Sequence, residues 1–271
     1  MMQTVVSAEA FEGTVYYRQR GVLVLAPTFI APPGDRTHRR PSIRLMLGIS
    51  GAYQLEFEDG RKLETRAVLM SPREAIRSII ADGVDFALFD FAVASAEYAA
   101  TDRLLQDKCL VPVELEQYSA LLPALKAGQE GTLSCQEVQK LMRRAVEILT
   151  GEQLRPLQLD SRVEQAQQMI ESMPLADVKL ATLASAVNLS PDRFRHLFKE
   201  ATGSTVSQYA RTSAVWRALS LLNEETSITD ASLAAGFHDV SHFYHVYTDM
   251  FGISLSEKRN IRKYRRVRCF G

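Results

Sequence analysis

The spacing of apolar positions changes near residue 97. Before it, β-branched and aromatic residues come in short runs: Thr14 to Arg20, Val22 to Leu25, Ile43 to Ile49, Tyr53 to Phe57, Leu63 to Met70, Ile76 to Ile80 and Phe86 to Phe91. Turn residues separate them, namely Pro32-Pro33-Gly34, Gly48 with Gly51, Asp59-Gly60, Ser71-Pro72 and Asp82-Gly83. Asp-Gly between apolar runs is a hairpin signal. Many short strands at this spacing predict an antiparallel β domain, a sandwich or small barrel.

Beyond residue 97 the spacing is that of a helix. Glu97 to Lys108, Leu115 to Lys126 and Ser134 to Leu149 are predicted helices, the last with Val138, Leu141, Met142, Ala145, Ile148 and Leu149 on one stripe. That stripe has two possible covers: the chain's own β domain, or a second copy of the chain. Gly151 to Leu159, with Pro156, is predicted as a linker, and a further helix as running from Ser161 to Met173.

The most specific pattern is a helix that occurs twice. In Ser190 to Gly203, Phe194, Leu197, Phe198 and Ala201 recur at i, i+3, i+4 and i+7, leaving Asp192, Arg195, His196 and Lys199 on the other face. Ser190 caps the helix, Pro191 occupies its first position and Gly203 ends it. In the second copy Asp239 is the cap, Phe243, Val246, Tyr247 and Met250 form the stripe, Ser241, Tyr244, His245 and Thr248 face outward, and Gly252 is the stop. Phe194 and Phe243, Phe198 and Tyr247, and Gly203 and Gly252 are all 49 positions apart, so the unit is an internal repeat. A shorter helix precedes each copy, Leu180 to Val187 and Ile228 to Ala235, through turns holding Asn188 and Gly236. Asn and Gly tolerate the left-handed backbone of such a turn. Helix, tight turn, helix with a polar outer face is the helix-turn-helix pattern.

Those residues, LATLASAVNLSPDRFRHLFKEATG and the second half from Ile228 through Ala234-Ala235-Gly236-Phe237 to Ser241, Phe243 and Gly252, resemble the DNA-binding domain of the AraC/XylS family of bacterial transcription regulators. The resemblance runs from about Val178 to Arg259, with Val206 to Leu222, holding Tyr209, Trp216 and Leu219, as the long helix between the units. Tyr247-Thr248 stands where the family usually shows Phe-Lys, and Ala214 where it shows Arg. The resemblance implies an α+β chain in three parts. Residues 1–150 would be a cupin-like β-barrel (jelly roll) sensory domain with a helical dimerisation segment, residues 151–160 a linker, and residues 161–271 an all-α domain of two helix-turn-helix units. It also implies an activator that binds double-stranded DNA, works with RNA polymerase, answers to a small-molecule effector in the barrel, and acts as a cytoplasmic homodimer. An N-terminal domain that binds a protein partner instead, as a co-regulator or anti-activator would, is the alternative.

Residue chemistry suggests who reads the DNA. Arg195 suits a guanine edge or a phosphate, Asp192 and His196 suit base edges, and Lys199, with neighbouring Arg193, suits phosphate. In the second helix Ser241, Tyr244 and His245 are the readers and Val240 can meet a thymine methyl. That helix carries no outward Lys or Arg, so the first unit is expected to contribute more affinity.

Composition narrows the function further. The 271 residues hold 32 Lys+Arg against 32 Asp+Glu, so no global field draws the chain to nucleic acid. Lys258, Arg259, Arg262, Lys263, Arg265, Arg266 and Arg268 crowd the tail, which can bind phosphate or simply be solvated. Cys109, Cys135 and Cys269 lack CxxC spacing and are odd in number, which predicts free thiols in a reducing cytosol. No secretion signal and no membrane span are read, the most apolar stretch, Val22 to Pro33, being short and holding three prolines. His38 has no companion ligand in the β domain, so a metal-dependent cupin enzyme is not expected, nor any cofactor. With Arg36, Arg39 and Arg40 it reads as a surface loop, or as an anion-capturing one. His238, His242 and His245 have spacings a zinc ion permits, but His238 lies before the helix and no cysteine joins them; a DNA-facing or exposed role is expected. No GxSxG, GxxxxGKS or GxGxxG motif occurs, and an enzyme is not expected.

Overall fold

The computed structural model describes residues 12–18, 20–31, 42–156, 158–222, 225–251 and 264–269. The His38 loop, the Gly252 stop and tail residues 258–263 lie outside the described residues.

The N-terminal half is β1 (Gly13–Arg18), β2 (Gly21–Ala26), β3 (Phe29–Ala31), β4 (Ile43–Gly48), β5 (Tyr53–Phe57), β6 (Lys62–Thr65), β7 (Ala67–Met70), β8 (Ile76–Ala81) and β9 (Phe86–Phe91). Two more strands, β10 (Leu110–Pro112) and β11 (Tyr264–Arg268), come from later in the chain. They form a seven-stranded sheet, order β10-β7-β4-β9-β2-β1-β11, facing a four-stranded sheet, order β3-β8-β5-β6. Between the sheets lie Val24, Met46, Phe86 and Leu88 from the first and Tyr53, Leu55 and Phe57 from the strands opposite. The other face of the large sheet, with Tyr16, Leu23, Leu45, Leu47 and Phe89, is covered by α1 (Ala96–Leu105), α2 (Leu122–Gln129) and α3 (Cys135–Thr150). Covered on both faces, β2, β4 and β9 are buried at every residue, whereas β5 alternates. The fold is α+β with a cupin-like β domain, as the sequence implies.

Two departures from the sequence reading have local causes, and one alternative it left open is decided. The run Leu63 to Met70 is two strands in different sheets, because the chain turns a corner at Arg66; the Thr65 hydroxyl donates to the Ala67 carbonyl (3.1 Å) and accepts from its amide (3.3 Å). The predicted helix Leu115 to Lys126 is a 3-10 turn over Leu115–Leu121 followed by α2, because Pro123 lacks an amide and fits only the first turn of a helix. The apolar stripe of α3 packs on its own β domain: Val138, Leu141, Met142 and Ala145 are buried within the chain.

The C-terminal half is α4 (Ser161–Ser172), α5 (Leu180–Ala186), α6 (Pro191–Thr202), α7 (Val206–Leu221), α8 (Ile228–Ala234) and α9 (Val240–Phe251). Among the described residues no helix is long and apolar enough to cross a membrane. The tail is not simply solvated: after α9 the chain returns to the β domain, where β11 pairs in parallel with β1 from Gly13↔Tyr264 to Tyr17↔Arg268. This return also corrects the reading of three free thiols. Cys269 follows β11 and is joined to Cys135 at the start of α3, leaving Cys109 as the free cysteine. A parallel pairing across the whole chain has no local sequence signal, so the bridge could not be read from spacing.

The two halves share a core. Tyr17 on β1 and Trp216 on α7 meet with ring centroids 5.9 Å apart, and the cluster between the sheets continues through them into Ala214, Leu219, Phe237 and Phe243. Nearby, the Arg20 guanidinium donates to the Gln167 side chain of α4 at 2.8 Å and to the Ala94 carbonyl at 3.3 Å. It also lies 4.0 Å from Glu171, whose carboxylate accepts from the Tyr209 hydroxyl. Burial pushes the Glu171 carboxyl up despite these partners, so the seam costs desolvation as well as gaining contacts. Trp216→Ala empties the centre of this seam, and denaturant unfolding of the variant is expected to show a loss of about 3–5 kcal/mol. A loss below about 1 kcal/mol would mean that the two halves do not depend on the contact.

Candidate nucleic-acid interface

Each helix-turn-helix unit follows from local sequence. In the first, Ser190 accepts from the Arg193 amide, Pro191 opens α6, and Gly203 (φ 70°) closes it. Asn188 takes the left-handed φ of 55° that the turn from α5 requires. Phe194 and Phe198 are fully buried, 5.7 Å apart, and Phe198 packs edge-on against Tyr209 of α7 at 5.5 Å. Fixed on one side, α6 leaves Asp192, Arg193, Arg195, His196 and Lys199 exposed on the other. Arg195 pairs with Asp192 at 3.2 Å. Both side chains are solvated, so the pair is weak and cheaply exchanged for another acceptor.

In the second unit, Asp239 accepts from the His242 amide at 2.7 Å, capping α9 as the sequence predicts. The hydrogen bond from His238 and that cap hold the Asp239 carboxyl below the usual range. Gly236 (φ 87°) makes the turn, and Phe237 packs edge-on against Phe243 at 5.2 Å. Ser241 and His245 are exposed; Val240, Tyr244 and Thr248 are half-buried, Tyr244 lying 6.0 Å from Phe243. Tyr247, on the inner side of α9, comes close to Tyr17 of the β domain. The reading face of α6 is therefore open and basic, while α9 is partly engaged at the seam and presents hydroxyls and imidazoles.

The two units are locked together by an uncommon contact. The Leu175 amide donates to the Ala235 carbonyl at 3.1 Å, and Gly236 lies so close to the Pro174–Leu175 backbone that an added Cβ would collide with it. Among the described residues, no group of three or more His, Cys, Asp or Glu side chains is placed to hold a metal ion; His238 pairs with Asp239 at 3.0 Å and His242 stacks edge-on to Phe237. Sequence reasoning located the exposed face of α6 and, on α9, exposed Ser241 and His245, whereas Val240, Tyr244 and Thr248 are half-buried. It missed the seam residues Tyr17, Arg20 and Gln167, whose partners across the seam, Trp216 for Tyr17 and each other for Arg20 and Gln167, lie more than 140 positions away.

Comparison with known proteins agrees with this geometry. A model described as a helix-turn-helix domain matches residues 183–261. The chain is 36% identical over 124 residues to the arabinose operon regulatory protein of Salmonella typhimurium, covering 45% of this chain and 43% of that protein. It is 34% identical over 143 residues to the Escherichia coli protein of the same name, covering 50% and 48%. The chain thus spans about half the length of the curated relatives it matches. In fold, it resembles ToxT from Vibrio cholerae along 90% of this chain and 98% of that one, with a TM-score of 0.54 at 14% identity. A ToxT structure described as bound to an unsaturated fatty acid gives a TM-score of 0.52 at 13% identity, covering 89% and 95%.

Gly203, which closes α6, and Gly236, which makes the turn into α9, are not equivalent. Gly203 has open space around it, so Gly203→Ala costs only the left-handed backbone, about 1 kcal/mol. Gly236→Ala adds a backbone collision and is expected to cost roughly 2–4 kcal/mol in denaturant unfolding. Equal losses would show that the Leu175 contact does not hold the two units together.

Proposed function

We propose, on the premise that this chain belongs to the AraC/XylS family of transcription regulators, that it is a sequence-specific DNA-binding activator controlled through its N-terminal domain. The open face of α6 carries the proposal: five polar or charged side chains on a helix anchored by two buried phenylalanines. Arg195 reads a guanine edge, Asp192 and His196 contact base edges, and Arg193 and Lys199 hold phosphates. Ser241, Tyr244 and His245 of α9, with Val240 against a thymine methyl, read the next major groove, about 34 Å along the duplex. With no Lys or Arg on α9, most of the electrostatic affinity comes from the first unit. In this proposal residues 1–150 sense and dimerise, 151–160 link, and 161–271 bind DNA. The working form is a cytoplasmic homodimer that contacts RNA polymerase.

Control by a small-molecule effector is supported by the shared fold with the fatty-acid-bound ToxT. One observation favours the second reading, a protein partner for the N-terminal domain. The space between the sheets is occupied by aromatic side chains: Phe86 stacks on Phe29 at 5.1 Å and meets Tyr53 edge-on at 5.0 Å, and Tyr53 and Phe57 are no more than 1% exposed. An effector lodged there has to displace one of these rings.

Selection of binding sites from a random DNA pool by the full chain is expected to give one recurrent sequence. Arg195→Ala should then lose about 1–3 kcal/mol on that sequence and relax the preference at a single base pair. A pool that stays random after selection sinks the regulator reading, while equal loss on all sequences makes Arg195 a phosphate contact.

A further inference from the structure

The Cys135–Cys269 bridge spans 134 positions of sequence and joins the start of α3 to the end of β11. Cys135 is the first residue of α3, next to the cap Ser134, so its sulfur sits at the positive end of a helix, where a thiolate is favoured. Cys269 directly follows β11 and its amide donates to the Tyr17 carbonyl at 2.8 Å. The bridge is not sealed in the core. It forms part of the wall of an open cleft of about 340 Å³, lined also by Arg18, Arg20, Gln136 and Gln139. The two arginines of this cleft each face a carboxylate, Arg18 lying 3.6 Å from Glu97 and Arg20 4.0 Å from Glu171, so it is the helix terminus that favours a thiolate on Cys135, and the opening that makes the bridge reachable.

What the bridge holds is equally specific. Among the described residues β11 is an edge strand, paired to β1. Beyond that ladder, the Tyr264 hydroxyl donates to the Thr28 carbonyl at 3.4 Å, Arg265 donates to the Glu130 carbonyl at 3.1 Å, and Tyr264 and Val267 pack against the two cores. Arg268, at its end, lies near Arg217 of α7, and the like charges oppose each other. The strand is the continuation of the chain that leaves α9, so the bridge ties the second helix-turn-helix unit back to the β domain.

We propose that Cys135–Cys269 is a thiol–disulfide exchange site that takes a small dithiol as its reductant, and that its redox state sets how firmly the C-terminal strand is held to the sheet. A thiolate of the dithiol attacks the Cys269 sulfur, because the Cys135 sulfur at the helix terminus is the better leaving group. The bond between the cysteines breaks, a mixed disulfide forms on Cys269, and the Cys135 thiolate takes up a proton. The second thiolate of the reductant then displaces the Cys269 sulfur, which is protonated in turn. Two electrons and two protons have passed to the protein, and the reductant leaves as a cyclic disulfide. In a reducing compartment a bridge of this kind is transient rather than structural. The effect on DNA binding rests on the regulator reading, but the chemistry and its test do not.

The test uses the full chain, either oxidised with glutathione disulfide or reduced with dithiothreitol. Alkylation with peptide mapping reports the thiols, and hydrogen exchange reports the strand. In the oxidised protein neither Cys135 nor Cys269 should alkylate, and exposed Cys109 should be found glutathionylated or alkylated. On reduction Cys135 and Cys269 should alkylate as well, and the β11 amides should exchange at least tenfold faster. Cys135→Ser and Cys269→Ser should show the fast exchange with or without dithiol, and Cys109→Ser should behave as the parent chain. Alkylation of Cys135 or Cys269 in the oxidised protein overturns the proposal, and so does unchanged β11 exchange once the bridge is open.

Discussion

Tyr17 projects from β1 into Trp216 of α7, and through that contact two cores become one. The β domain supplies the apolar faces of both sheets; the helical half supplies α7, the turn at Phe237 and the buried side of α9. An aromatic pair adds only about 0.5–1.5 kcal/mol beyond the area it buries. Its importance is positional: α7 is the helix between the two helix-turn-helix units, so Trp216 joins the β domain to the element that both units pack against. Arg20 beside it repeats the theme with polar groups, joining the loop after β1 to α4.

This arrangement treats the two units unequally. The first is built around Phe194, Phe198 and Tyr209 in a core of its own, with α4 and α5, and its polar face is free. The second has no separate core; Phe237, Phe243 and Val246 belong to the cluster that reaches into the β domain. A change in the β domain is therefore felt first at α9. The covalent tie from Cys269 to Cys135 and the pairing of β11 with β1 add to the coupling, since they anchor residues 264–269, which follow α9 in the chain, to the domain proposed to sense.

Much of this was legible in the sequence where the signal is local. The caps Ser190 and Asp239, the stop at Gly203, the left-handed turns at Asn188 and Gly236 and the stripe Phe194–Phe198 are matters of neighbouring residues, and all are seen. The strands from β1 to β9 were mostly visible for the same reason. What escaped is non-local. The short strands β3 and β10 are made by pairing with β8 and β7 rather than by their own sequence. The corner at Arg66 divides one apolar run between two sheets, and β11 hides in a run that charge alone marks as a solvated tail. The seam and the bridge depend on partners more than 130 positions apart. Half-buried Tyr244, taken from helical spacing as a reader, shows the same limit: periodicity gives the face of a helix but not the body packed beside it.

The central claim is that two unequal helix-turn-helix units on one chain recognise a specific DNA sequence. Footprinting the full chain on the DNA upstream of its own coding region, with excess random DNA at about 0.15 M salt, tests it most directly, because phosphate contacts alone are weak under those conditions. The account predicts one protected site of about two helical turns on one face of the duplex, with the stronger protection in the half bound by the first unit. Absence of a discrete footprint, or protection that the random competitor removes entirely, would contradict it.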